Sequence, residues 1–167
     1  QTEELTLVNV HFRAGERGEP YRKRQAKLIR HWITPHLQRG NNVIVLGDLN
    51  SDENCQQPNA DCEVGLLCGR SQKGNLPLTD LHHHLPAANQ ATHMIGKQFD
   101  RVLVSPSLKQ DDDTKRDLLF DSIRCAKDLV VRGEKADTDH RDIYYKIPQQ
   151  ERDISDHYPL IVRFKTK

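Results

Sequence analysis

Six side chains able to do acid–base or phosphate chemistry stand beside runs of strand-forming residues: His11, Asp48, Asn50, Asp100, Asp156 and His157. Asp48 and Asn50, in Gly47-Asp48-Leu49-Asn50, are two residues apart, and in extended backbone that spacing turns both to one side. Asp48 offers an anionic acceptor able to hold the proton of a nucleophile, and Asn50 an amide that donates to an oxyanion without titrating. His157 can work as an imidazolium beside a phosphate when a carboxylate holds its proton, and Asp100 is the available carboxylate. Asp156 precedes His157 in Ser155-Asp156-His157-Tyr158-Pro159 and is a hard oxygen donor of the kind Mg²⁺ prefers. Singly, each has a structural reading, since Asp and Asn after a strand commonly make turns. Their ordered combination points to a shared site.

The elements that must position them follow from hydrophobic periodicity. Leu5–Phe12 (LTLVNVHF) reads as a buried strand, and Pro20 opens a long helix ended by Gly40. Its apolar face is expected to carry Tyr21, Leu28, Ile29, Trp32, Ile33, His36 and Leu37, leaving Arg22, Lys23, Arg24, Lys27 and Arg30 on the other faces. Pro35 is expected to kink the last turn. Asn42–Gly47 is a second strand, so strand–helix–strand implies a crossover unit. Asp48–Pro77 reads as a long loop, Leu78–Leu85 as a short helix and Gln98–Val104 as a third strand. Leu118–Arg132 holds one or two strands, Gly133–Asp153 is irregular, and Leu160–Phe164 is the last strand behind Pro159. About five strands and two helices make one sheet with one helical layer, which leaves one apolar sheet face uncovered. Ligands of α/β sheets gather beyond strand ends, where these six residues fall.

Composition narrows the classes. Lys plus Arg number 25 and Asp plus Glu 24, a formal charge of +1, which argues against a wholesale basic clamp or an acidic tail. No apolar run reaches the 18 residues of a membrane span. Cys55, Cys62 and Cys68 cluster in a polar loop, and their spacing is too wide for the tight pairs of zinc sites, even with His82-His83-His84 nearby. A disulfide between two of the three is the expectation, and it leans towards a secreted or periplasmic setting.

The series VNVHF (8–12), VIVLGDLN (43–50), FDRVLV (99–104) and SDHYPL (155–160) resembles the endonuclease/exonuclease/phosphatase superfamily, which includes deoxyribonuclease I-like enzymes. The resemblance implies Mg²⁺- or Mn²⁺-dependent hydrolysis of a phosphate ester by in-line attack of water. Asp48 would activate the water, Asn50 would steady it, His157 would stabilise the transition state with Asp100 as its partner, and His11 would hydrogen-bond phosphate. Asp156 and Asp48 would face the metal, and Thr92 would support the site from behind. Members also carry an Asn and a metal-binding Glu in the first half of the domain, and nothing around Glu3 and Glu4 matches that motif. The resemblance therefore implies that residues 1–167 are the C-terminal part of one domain. In fold terms this is half of a four-layer α/β sandwich, with one mixed sheet of about five strands and flanking helices. A second sheet is expected from a missing N-terminal half, which would be the chain's partner, and 1–167 alone would be inactive. A nuclease acting on nucleic acid is the first choice. The alternatives are a lipid or small-molecule phosphoesterase of the same fold, or a non-catalytic binding module.

Overall fold

The computed structural model describes residues 4–51, 61–70, 77–114, 117–132 and 144–167. Strand β1 (Leu5–His11) leads into helix α1 (Glu19–Gln38), which starts with Pro20 in its first turn and runs through Pro35. Strand β2 (Asn42–Asp48) then pairs parallel to β1, as the crossover predicts. A short helix α2 (Glu63–Cys68) follows, then β3 (Thr79–Asp80), a 3₁₀ turn at Leu81–His84, and β4 (Asp100–Val104). Strands β5 (Leu118–Cys125) and β6 (Leu160–Thr166) complete the chain.

The mixed sheet has the order β1-β2-β4-β3, with β4 antiparallel to β2 and to β3. It holds four strands rather than about five, because β5 and β6 pair only with each other, antiparallel, in a separate ribbon. Alternation along the strands explains the layers. Val43, Val45 and Leu103 turn to one face and pack with Ala26, Ile33 and Leu37 of α1 and Val64 and Leu67 of α2. Ile44, Val102 and Val104 turn to the other face, where Leu118, Phe120, Leu160, Val162 and Phe164 of the ribbon meet them. The second face of β2 and β4 is thus covered. The outward row of β1 is not: Leu5 and Leu7 are 44% and 58% exposed.

Helix α1 buries Ile33 and Leu37 and half-buries Ile29 as expected, but corrects the rest of the expected face. Tyr21, Leu28 and Trp32 lie in solvent, while Arg22 and Arg30 are buried with Ala26, Ile33 and Leu37 at steps of three and four residues. The reason is tertiary. Arg22 Nε donates to Glu63 Oε1 of α2 at 2.7 Å, and its Nη1 donates to the Arg13 and Gly15 carbonyls. Arg30 donates to the Leu67 carbonyl and lies against Gly69, where any Cβ would collide with the guanidinium. The buried Arg22 guanidinium is tolerated because Glu63 and the two carbonyls take its donors.

Helix α2 itself arises within the segment read as a loop. Cys62 caps it, with Sγ accepting from the Gly65 amide, and Cys68 is its last residue. Six residues of helix separate their backbones by about 9 Å, too far for a disulfide. The expected bridge is therefore not Cys62–Cys68, and Cys68 is a free buried thiol. Cys55 lies outside the described residues. Burial pushes the Cys68 thiol up to about 12.

Candidate functional site

Register places three of the candidate residues in one row. His11 of β1 is the partner of Asp48 of β2, and Asp48 is the partner of Asp100 of β4. The row stands at the end of the sheet where β1 and β2 stop. Gly47 adopts φ 127°, a conformation that only glycine takes readily, and a Cβ there would strike the Val10 carbonyl. β1 and β2 can therefore close up directly beneath the site.

Asp48 and Asn50 do come together, by a turn and not by strand alternation. Leu49 is fully buried and its amide donates to the Phe99 carbonyl, which pins the chain where β2 ends. Asn50 then takes φ 47°, a left-handed value that Asn tolerates. Its amide donates to Asp48 Oδ1 at 2.8 Å, and its Nδ2 donates to Asp48 Oδ2 at 2.9 Å and to the Phe12 carbonyl. Both carboxylate oxygens are thus held in place.

His157 reaches the row from the far end of the chain. Thr92, His93 and Met94 pair with Asp156, His157 and Tyr158 across a short antiparallel bridge: the Tyr158 amide donates to the Thr92 carbonyl and the Met94 amide to the Asp156 carbonyl. Thr92 is fully buried, and its Oγ1 accepts from the Asp100 amide at 2.9 Å. One threonine therefore sets both Asp100 and the segment that carries His157.

The imidazoles converge on the carboxylates. His157 Nδ1 lies 2.9 Å from Asp100 Oδ2, so Nδ1–H donates there and Nε2 faces outward, 3.9 Å from Asp48 Oδ2. The Asp100 hydrogen bond raises the His157 pKa above its ordinary value, with Asp48 and Asp156 adding to the effect and partial burial opposing it. His11 Nε2 is 3.4 Å from Asp48 Oδ2 on an open side, its ring 75% exposed. Two imidazoles therefore flank one carboxylate oxygen, and a phosphate entering here would meet donors on two sides.

Asp156 sits at the rim, 44% exposed, with Oδ2 3.6 Å from His93 Nε2. His93, Asp156 and His157 bring ligand-type atoms within 4.8 Å of one another. His93 Nδ1 accepts from the Ile95 amide, so the neutral ring carries its proton on Nε2, facing Asp156 rather than a cation. The hard oxygens of Asp156 and Asp48 are the donors that suit Mg²⁺ or Mn²⁺, which binds through one or two carboxylates plus substrate phosphate. Glu4 is no part of this: it lies just before β1, at the opposite end from His11, and accepts from Asn41 Nδ2.

Sequence reasoning passed over His93. Its ring packs edge-on to His157 with centroids 4.7 Å apart, and burial and the nearby His157 hold its pKa below the ordinary value. Its adjacency to Thr92 was the available signal.

No protein-family model matches the chain, and no curated protein matches it. Solved structures do. A mannosyl-6-phosphatase from Bacteroides thetaiotaomicron VPI-5482 superposes with TM-score 0.58 at 18% identity, over 95% of this chain and 50% of its own. An endonuclease/exonuclease/phosphatase family protein from Bacteroides thetaiotaomicron gives TM-score 0.55 at 19% identity, over 95% and 48%. A truncated Caenorhabditis elegans TDP2 gives 0.56 at 16%, over 95% and 53%. The chain therefore has the endonuclease/exonuclease/phosphatase fold, and it spans about half the length of the solved structures it matches.

Proposed function

We propose that this chain carries the phosphate-hydrolysing side of a metal-dependent phosphoesterase, a nuclease that cleaves phosphodiester bonds by in-line attack of water. The observation that carries the reading is the row His11–Asp48–Asp100 with His157 held on Asp100 and aimed at Asp48. Asp156, with Asp48, would hold Mg²⁺ or Mn²⁺, which supplies charge neutralisation at the phosphoryl oxygens. Asp48 takes the proton of the attacking water while Asn50 keeps both of its oxygens in place. The water oxygen bonds to phosphorus, the ester P–O bond breaks, and the leaving oxygen takes a proton from solvent. His157, its charged form favoured by the hydrogen bond to Asp100, donates to the oxygen on which charge develops, and His11 donates from the open side. Thr92 is a positioning residue that acts through Asp100. The remaining part of the domain is the proposed partner, and the uncovered β1 row at Leu5 and Leu7 is the face it would cover.

A phosphomonoesterase is the second reading, favoured by the likeness to a mannosyl-6-phosphatase. The test is hydrolysis of an oligonucleotide and of a sugar 6-phosphate by the complete natural protein with Mg²⁺. The nuclease reading expects the oligonucleotide to turn over at least tenfold faster. Preference for the sugar phosphate would select the second reading, and hydrolysis of neither would reject both.

A further inference from the structure

A groove opens from the candidate site along the N-terminal half of α1. It has a volume of about 440 Å³, inside the roughly 300–1,000 Å³ of ordinary ligand sites, and is lined by His11, Arg13, Tyr21, Arg24, Gln25 and Leu28. We propose that this groove is a nucleotide subsite: it takes a segment of single-stranded nucleic acid flanking the scissile phosphate, with a base against Tyr21 and backbone phosphates at Arg13 and Arg24. The proposal rests on the phosphodiesterase reading above and names the substrate that site receives.

Three observations converge on it. First, the charges are unspent. Arg22 is paired with Glu63 and Lys23 with Glu19, whereas among the described residues Arg13 and Arg24 have no carboxylate within ion-pair distance. A solvated basic helix face is common, but it does not leave aromatic and aliphatic groups open beside the cations. Here Tyr21 is 58% and Leu28 67% exposed, and that is the second observation. The Arg13 guanidinium lies over the Tyr21 ring, 5.2 Å from its centroid, so cation and aromatic surface form one platform. Third, the groove is continuous with the site through His11, whose Nε2 faces Asp48.

The mixture selects the ligand. A sugar phosphate or polyphosphate would use the arginines and leave the ring and Leu28 wet. A neutral lipid would cover the apolar groups without answering the two cations, and a phospholipid gathers its charge at one end and offers the Tyr21 ring no π-face. A nucleotide strand answers both, because every base has a π-face and every linkage a negative charge. A neighbouring hollow of about 640 Å³ shares Arg13 and Tyr21 but is also lined by Glu16. That carboxylate makes it the poorer place for a phosphate and keeps the strand on the His11 side.

The experiment measures the complete natural protein twice on one fluorescent single-stranded oligonucleotide: binding by anisotropy in EDTA, and cleavage with Mg²⁺. Tyr21→Ala should weaken binding about tenfold, the scale of one base–aromatic stack, and should do nothing on an abasic strand of equal length. Arg13→Ala and Arg24→Ala should each lower the slope of log K against log salt by about 0.7. Melting temperatures of the three variants should match the parent. No binding by the parent, equal losses on the abasic strand, or unchanged affinity in Tyr21→Ala would overturn the subsite. Binding with the expected losses but no cleavage would instead reject the phosphodiesterase reading and leave the subsite standing. Cleavage indifferent to Tyr21→Ala would reject the subsite and leave the hydrolase.

Discussion

His82 makes the fold sensitive to acid. The ring is 1% exposed, and both of its nitrogens are shut away from water. It lies in the 3₁₀ turn that Asp80 caps, and Asp80 is ion-paired at 3.0 Å to Arg101. Burial first, and the Arg101 guanidinium second, lower the His82 pKa from 6.5 to about 4, with Asp80 opposing. The folded value lies below the unfolded one, so the unfolded chain binds the extra proton and stability falls as pH drops below about 6.5. At about 1.36 kcal/mol per pH unit, the full loss is about 3 kcal/mol, reached below the folded value near 4. At pH 5 the same linkage gives about 2 kcal/mol. That is a large share of the 5–15 kcal/mol typical of a domain. The assay is urea unfolding of the parent and of His82→Leu at pH 7 and pH 5. Other titrating groups act in both proteins and cancel in the difference. The parent should lose about 2 kcal/mol more than the variant between the two pH values. Equal losses would show that His82 is not buried in its neutral form, and the reasoning would fail.

Three further outcomes follow from the same structure. Glu63→Ala strands the buried Arg22 guanidinium and should cost about 3–5 kcal/mol in urea unfolding, whereas an exposed control, Glu19→Ala, should cost far less. Asp100→Asn removes the main cause of the raised His157 pKa, so the His157 titration followed by NMR should move to lower pH, and the loss of activity on raising the pH, as the imidazolium deprotonates, should set in earlier than in the parent. An unmoved titration would refute the pairing. Cys68, buried in the core with its thiol pushed up to about 12, should resist a thiol reagent at pH 8 in the native protein and react after denaturation.

What the sequence disclosed depended on how local its cause was. β1, β2 and β4 were legible because each is a short apolar run, β2 and β4 feeding two cores by alternation and β1 one, and because polar residues stop them where ligands gather. The meeting of Asp48 with Asn50 was legible too, although its cause is a left-handed turn at Asn50. The face of α1 was legible only in part: Ile29, Ile33 and Leu37 meet the core as expected, whereas Tyr21, Leu28 and Trp32 do not. Tyr21, Leu28 and Trp32 make as good an apolar stripe as Ala26, Ile33 and Leu37. What decides between them is Glu63, 41 residues away, which gives Arg22 a buried partner. Helix α2 was hidden for a similar reason: six residues carry too little periodicity, and its burial comes from packing on α1. The joining of residues 92–94 to 156–158, which delivers His157 and brings His93 beside it, is a non-local pairing that no spacing in the chain announces.

The central claim is that Asp48 and His157 act together on a phosphate ester. Its most direct measurement is Mg²⁺-dependent hydrolysis of a single-stranded oligonucleotide by the complete natural protein, the parent against Asp48→Asn and His157→Gln. Both side chains are partly open to solvent, so the folded state should survive each change. In each variant kcat should fall by roughly 10²–10³, the scale for removing one group that serves the transition state, with an unchanged melting temperature. Parent-like turnover in either variant would contradict it.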